Sequence, residues 1–300
     1  MDLLITFIFL VLPVLINVAF VTLLERKILG LAQLRLGPNK VGPSGLVQPF
    51  ADAVKLFIKQ LEVNRNANIK RFIYSPAVLL IIILLLWVVV FNLGLPSKLV
   101  ARVILFILIL RLGVYPVLLR GWSSNSKYAI LGGIRAVAQT ISYEVRLAIM
   151  FMLFIVLFNS LSFHESVNNH PLMALAPLIC VLWLIMCVAE TNRTPFDFAE
   201  GERELVSGFN IEYASIGFVL IFLSEYGMII IFSSLCATIC FSVSLFTFLG
   251  SVSSVAISSL WISLRATYPR YRYDMLIGIA WKRFLPISLG SLVYIVRLIL

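Results

Sequence analysis

MDLLITFIFLVLPVLINVAFVTLLERK, residues 1–27, decides the fold class. Asp2 is the only charge before Glu25, and more than 20 apolar residues follow it without a small-residue cleavage pattern. A secretory signal has a basic start, a shorter apolar core and such a cleavage site, so this stretch reads as a retained transmembrane helix. About 20 apolar residues suffice for a helix to cross the hydrocarbon core.

Further along, the same pattern recurs. Candidate spans fall at about 3–24, 73–95, 99–119, 136–158, 172–189, 213–234, 243–264 and 284–299. Charged residues make up 13% of the 300 positions, roughly half of what a soluble surface carries, so a water-soluble domain is excluded. The expected fold is an all-α integral membrane protein, a single transmembrane domain over 1–300 with about eight transmembrane helices. No internal repeat is visible, which removes the inverted-repeat plan of many transporters. No Arg-rich transit segment is visible either. A mitochondrial location therefore implies synthesis inside the organelle, and a bacterial plasma membrane is the alternative.

Lys and Arg in the connections orient the chain. With eight spans, the connections at 25–72, 120–135, 190–212 and 265–283 share one side. Nineteen basic residues fall there and three, Lys98, Arg102 and Arg297, on the other. Both termini are thus expected on the outer side, and the four large connections on the cytoplasmic or matrix side. In the first connection, GLVQPFADAVKLFIKQ (45–60) places Leu46, Phe50, Val54, Phe57 and Ile58 on one helical face, with Asp52, Lys55 and Lys59 elsewhere. This is an amphipathic helix suited to the membrane interface. RLGPNKVGPSG before it, with three Gly and two Pro, is a structured turn region.

The third and seventh connections, GWSSNSKYAILGGIRAVAQ and RATYPRYRYDMLIGIAWKRF, mix basic and aromatic residues. Positive-inside charge and interfacial anchoring explain much of this. Their length and their Gly and Pro content also suit a docking face for another protein. Nucleic acid is not an expected partner, because the basic residues are topological.

Cys180, Cys187, Cys236 and Cys240 lie in apolar runs without neighbouring histidines and match no zinc or cluster spacing. His164 and His170 share one short connection, a weak surface pair at best. No phosphate loop, dinucleotide fingerprint, zincin motif or C-x-x-C occurs, so no metal, nucleotide, flavin, cluster or haem is expected on the chain's own motifs.

The acids are the informative residues. AETNRTPFDFAEGERELVSGFN (189–210) and the two residues after it hold Glu190, Asp197, Glu200, Glu202, Glu204 and Glu212, six of the chain's fourteen acids, against Arg193 and Arg203 alone. Arg111, Glu144, Arg146 and Glu225 fall within or at the edge of spans, where charge is costly and by default functional. Glu25 and Glu190 terminate spans. Glu144 and Arg146 are two apart and do not share a helix face. Glu225, in LIFLSEYGMII (220–230), has no basic residue within a turn, so desolvation suits it to proton exchange. Each such acid taken singly is as well explained as a neutral, hydrogen-bonded structural group. Taken together, carboxylates from several spans are what a proton relay requires.

Three segments, LLERKILGLAQLRLGPNKVGPSGLVQPFADAVKLFIKQ (23–60), AETNRTPFDFAEGERELVSGFNIEYA (189–214) and RATYPRYRYD (265–274), resemble the signatures of the quinone-site membrane subunit family of respiratory complex I, the NADH:ubiquinone oxidoreductase. The similarity covers essentially the whole chain. It implies a place where the peripheral arm meets the membrane arm, with the spans and amphipathic helix framing the entrance and lower part of a ubiquinone chamber. Arg26, Gln33, Asp52, Phe222 and Arg272 match positions near the quinone channel. The resemblance implies a proton path through Glu144, Glu190, Asp197, Glu200 and Glu225. Glu202, Glu204 and Glu212 are then loop or interface charges, with Arg193 and Arg203 as counter-ions. Ubiquinone is the implied substrate, and FMN and iron–sulfur clusters belong to partner subunits. The implied partners are quinone-module subunits of the peripheral arm, small and antiporter-like membrane subunits, and lipids, with cardiolipin a candidate. The implied location is the mitochondrial inner membrane. Leu36 and Leu223 depart from the common pattern in details of quinone contact. The membrane subunit of an ion-pumping hydrogenase is the nearest alternative, and a stand-alone cation/proton antiporter a more distant one.

Overall fold

The computed structural model describes residues 2–60, 67–91, 102–158, 171–197, 212–244 and 247–299. They are helical without a strand among them. Helix α1 runs Asp2–Ala32 and α2 Gln48–Ile58; α3 is Ile69–Phe91, α4 Arg102–Leu112 and α5 Val114–Ser123. Helix α6 is Lys127–Phe158, α7 Leu172–Leu175, α8 Pro177–Glu190 and α9 Ser215–Phe241. Helix α10 is Phe248–Thr267, α11 Tyr273–Ile279 and α12 Leu285–Ile299, the last two joined by a π turn over Ala280–Phe284.

The runs Ile69–Phe91, Arg102–Ser123, Lys127–Phe158, Ser215–Phe241, Phe248–Thr267 and Tyr273–Leu298 are each long and apolar enough to cross a membrane, and Pro177–Glu190 is a shorter apolar helix. The fold class is the all-α membrane protein that the composition implies. Burial is one-sided, as a lipid-facing bundle requires. On α1, Val14, Val18, Val21 and Glu25 recur at helical spacing on the buried face, while Leu12, Ile16 and Phe20 point outward. Helix α9 is the central element and packs against α1, α2, α3, α7, α8 and α10. Trp183 is enclosed by Phe151 and Phe154 at ring distances of 5.2 and 5.0 Å. Where lipid removes the hydrophobic drive between helices, such close packing holds the bundle together, together with small residues at crossings. Gly121 and Gly133 supply one such crossing: a β-carbon on Gly133 would lie 3.2 Å from the Gly121 backbone, so α5 and α6 nearly touch.

Helix extends into three of the expected connections. Helix α1 continues eight residues past the expected end of the first span, to Ala32, and carries Glu25, which finds buried partners. Of the third connection, expected over 120–135, only Ser124–Ser126 is non-helical, since α5 reaches Ser123 and α6 begins at Lys127. The paired glycines that suggest a loop there, Gly132 and Gly133, are instead buried within α6. In the seventh, only Tyr268–Arg272 is non-helical. The amphipathic segment is helical as α2, and it leaves Phe50, Val54, Phe57 and Ile58 exposed. Its preceding turn depends on Gly45, at φ +78°, where a β-carbon would sit 2.2 Å from the Pro38 carbonyl oxygen.

Candidate functional site

Glu144, Glu190 and Glu225 come from three helices and line one cavity. About 90 Å³ of it is open to the centres of water molecules, room for several waters. Helix α6 contributes Thr140 and Glu144, one turn apart on one face. Helix α8 ends at Glu190, and Thr191 and Asn192 follow it. Helix α9 contributes Ser224 and Glu225, and α5 contributes Arg120. Glu144 and Glu190 are buried, and the charge of Glu144 acts on Glu190. Glu225 is half-buried. The reading of Glu225 as an acid remote from any cation applies only along its own helix: Arg193 lies within reach of its charge, and Arg120 lines the same space.

Gln139 ties α6 to the end of α8. Its Nε2 donates to the Ala189 carbonyl at 3.4 Å and to the Phe196 carbonyl at 2.8 Å. This holds the 190–197 segment against α6 and so fixes where Glu190 points. The same segment meets the seventh connection. Arg270 Nη2 lies 3.3 Å from Asp197 Oδ2, the Tyr271 amide donates to the Pro195 carbonyl at 3.1 Å, and Phe196 stacks on Tyr271. Asp197, expected in the proton path, is thus engaged by an arginine away from the three cavity acids.

A second buried site lies beside the first. Glu25, 4% exposed, accepts from Arg193 Nη1 at 3.3 Å, from Arg265 and from the Tyr226 hydroxyl. The Arg193 guanidinium also lies 4.6 Å over the Tyr226 ring. Burial works against the Arg193 charge, but Glu25, Tyr226 and Glu225 more than offset it and push its pKa above the ordinary value. Arg193 therefore does more than balance the acids of its own loop: its ion pair is with α1. In the sequence Glu25 stands out only as a span terminus, and neither Tyr226 nor Arg265 stands out by itself. The one local signal is that Glu25 continues the buried stripe of α1.

Of the residues matched to the quinone channel, two are brought together. Arg26 Nη1 and Asp52 Oδ2 are 2.5 Å apart, joining α1 to α2, and Gln48 Nε2 donates to Asp52 Oδ1 at 3.0 Å. Phe222 lies on α9 between Phe218 and Tyr226, with ring distances of 4.3 and 6.0 Å. Gln33 instead accepts from Arg35 on an exposed turn, and Arg272 pairs with Asp274 on the surface. Glu212 sits half-buried in the turn before α9. Glu200, Glu202, Arg203, Glu204, His164 and His170 lie outside the described residues. All four cysteines are buried, and no metal-binding cluster of His, Cys, Asp and Glu is found among the described residues.

By fold and site this is a helical membrane bundle with carboxylates from three helices around one cavity. The profile of the NADH dehydrogenase family matches residues 5–296, and the chain belongs to that family. It is 48% identical to NADH-ubiquinone oxidoreductase chain 1 of Anopheles gambiae over 300 residues, 96% of this chain and 93% of the relative. It is 47% identical to the chain of that name from Branchiostoma lanceolatum, over 93% of this chain and 90% of the relative. For Tamias sibiricus the identity is 45%, over 94% and 92%.

Proposed function

We propose that the chain is a core membrane subunit of the proton-translocating NADH:ubiquinone oxidoreductase and that its cavity is a segment of the proton path coupled to quinone reduction. The convergence of Glu144, Glu190 and Glu225 on one cavity carries the reading. Buried acids of like charge cannot all ionise, so a proton taken by one alters the affinity of the next. Water in a space of this size links carboxylates that do not touch.

The α1–α2 junction, with Arg26 and Asp52, frames the lower part of a ubiquinone chamber, and the exposed apolar face of α2 lies in the membrane interface. Charge changes at the quinone reach the cavity through the 190–197 segment, which Gln139, Arg270 and Glu25 hold from three sides. The redox cofactors, FMN and iron–sulfur clusters, belong to partner subunits. The nineteen-to-three distribution of Lys and Arg supports termini on the intermembrane-space side of the mitochondrial inner membrane. The test is Glu225→Gln in the assembled enzyme in sealed vesicles, recording NADH-driven quinone reduction and proton uptake together. Both should fall sharply with assembly normal. Unchanged rates in both would remove Glu225 from the path.

A further inference from the structure

Arg146 is the buried charge on α6 that the proton path leaves unexplained. It is 1% exposed in the isolated chain, so no neighbouring subunit can reach it directly. Its guanidinium lies 3.8 Å over the Tyr143 ring and 6.0 Å from that of Phe284, and Nε donates to the Ser142 carbonyl at 3.0 Å. Tyr143, on the same helix, lies within reach of the charges of both Arg146 and Glu190. Nη1 and Nη2 have no acceptor among the described residues, and Glu190 Oε2 has no donor among them. A guanidinium does not give up its proton in a protein, so a permanent cation whose two outer donor nitrogens lack acceptors among the described residues is held inside the bundle. Such donors are costly to leave unmade.

The charges around Glu190 are set against one another. From α6, Glu144 repels its ionised form and Arg146 attracts it. Glu225 of α9 and Arg120 of α5 line the same cavity. Cys187, on Glu190's own helix, is within reach of its charge, and Arg111 of α4 acts on Glu144. Arg146 is thus the cation on α6 that answers the repulsion between the two buried acids.

We propose that Arg146 is a positioning residue for Glu190: a fixed internal cation, joined to the carboxylate by water at its two outer nitrogens, that lets Glu190 release its proton beside Glu144. The inference rests on the reading of Glu190 as a member of the proton path. Removing the cation makes Glu190 hold its proton to higher pH, so the acid limb of the pH profile for coupled proton uptake moves upward.

The experiment compares Arg146→Met, Arg146→Lys and Glu190→Gln in the assembled enzyme in sealed vesicles, with proton uptake per NADH oxidised recorded against pH. Arg146→Met should move the acid limb upward by about one pH unit, and Arg146→Lys should leave it near its original place. A limb unmoved in an assembled Arg146→Met enzyme, while Glu190→Gln abolishes coupled uptake, overturns the inference and leaves the path standing. A silent Glu190→Gln removes Glu190 from the path, and the inference with it. Should Arg146→Met not assemble, Arg146→Gln keeps N–H donors without the charge, and an unmoved limb there overturns the inference equally.

Discussion

Arg193 Nη1 lies 3.3 Å from the Glu25 carboxylate, although 168 positions separate the two residues in the chain. That contact pins the segment after α8 to the end of α1, with Arg265 of α10 and Tyr226 of α9 on the same carboxylate. Removing one partner of a buried ion pair leaves the other charges uncompensated, at a cost of about 3–5 kcal/mol. Glu25→Gln should lower the thermal midpoint of the purified complex or its assembled yield, and Arg265→Gln, whose side chain is partly exposed, should do so less.

Tyr226→Phe separates the ring from the hydroxyl. The stacking with Phe222 and the cover over Arg193 persist, while the hydrogen bond to Glu25 is lost. The expected loss is about 1.5–3 kcal/mol, the range for hydrogen bonds to charged groups, with native assembly. A denaturation midpoint equal to that of the unmodified enzyme would show that Glu25 is held by the two arginines alone.

The Arg26–Asp52 pair is of a different kind. Its side chains are 53% and 34% exposed, and exposed pairs contribute about 0–1 kcal/mol. Asp52→Asn should therefore leave assembly intact and act on the substrate. A raised KM for quinone with unchanged amounts of complex is the expected outcome of steady-state kinetics over a quinone series.

Gln139→Leu removes the donor that satisfies the Phe196 and Ala189 carbonyls. Unmade buried acceptors cost about 1–3 kcal/mol. The local effect is loosening of the 190–197 segment, so proton uptake per electron should fall more than the rate of quinone reduction. Faster hydrogen exchange confined to that segment would provide the structural readout.

Gly45→Ala forces an L side chain to a left-handed φ, which costs about 1–2 kcal/mol, and drives its β-carbon against the Pro38 carbonyl. The turn ahead of α2 should shift, lowering quinone affinity without touching the cavity acids. Proton uptake per NADH should stay unchanged in the molecules that turn over.

Much of this molecule is written locally. The lipid environment demands some 20 apolar residues in succession, so helices such as α3 and α9 are visible in a short window. The spacing of Phe50, Val54 and Phe57 against Asp52 and Lys55 likewise marks α2 as an amphipathic helix. The sequence also shows which acids are out of place: Glu144, Glu190 and Glu225 stand in apolar surroundings that penalise them. It does not show their company. Only the packing of α5, α6, α8 and α9 brings those three into one cavity, engages Asp197 with Arg270, and makes Glu25 a meeting point for Arg193, Arg265 and Tyr226. Span and period depend on neighbours within a few turns, because burial in lipid acts on each helix separately. The partner of a buried charge depends on which helices cross and at what height, so it appears only when the bundle is assembled.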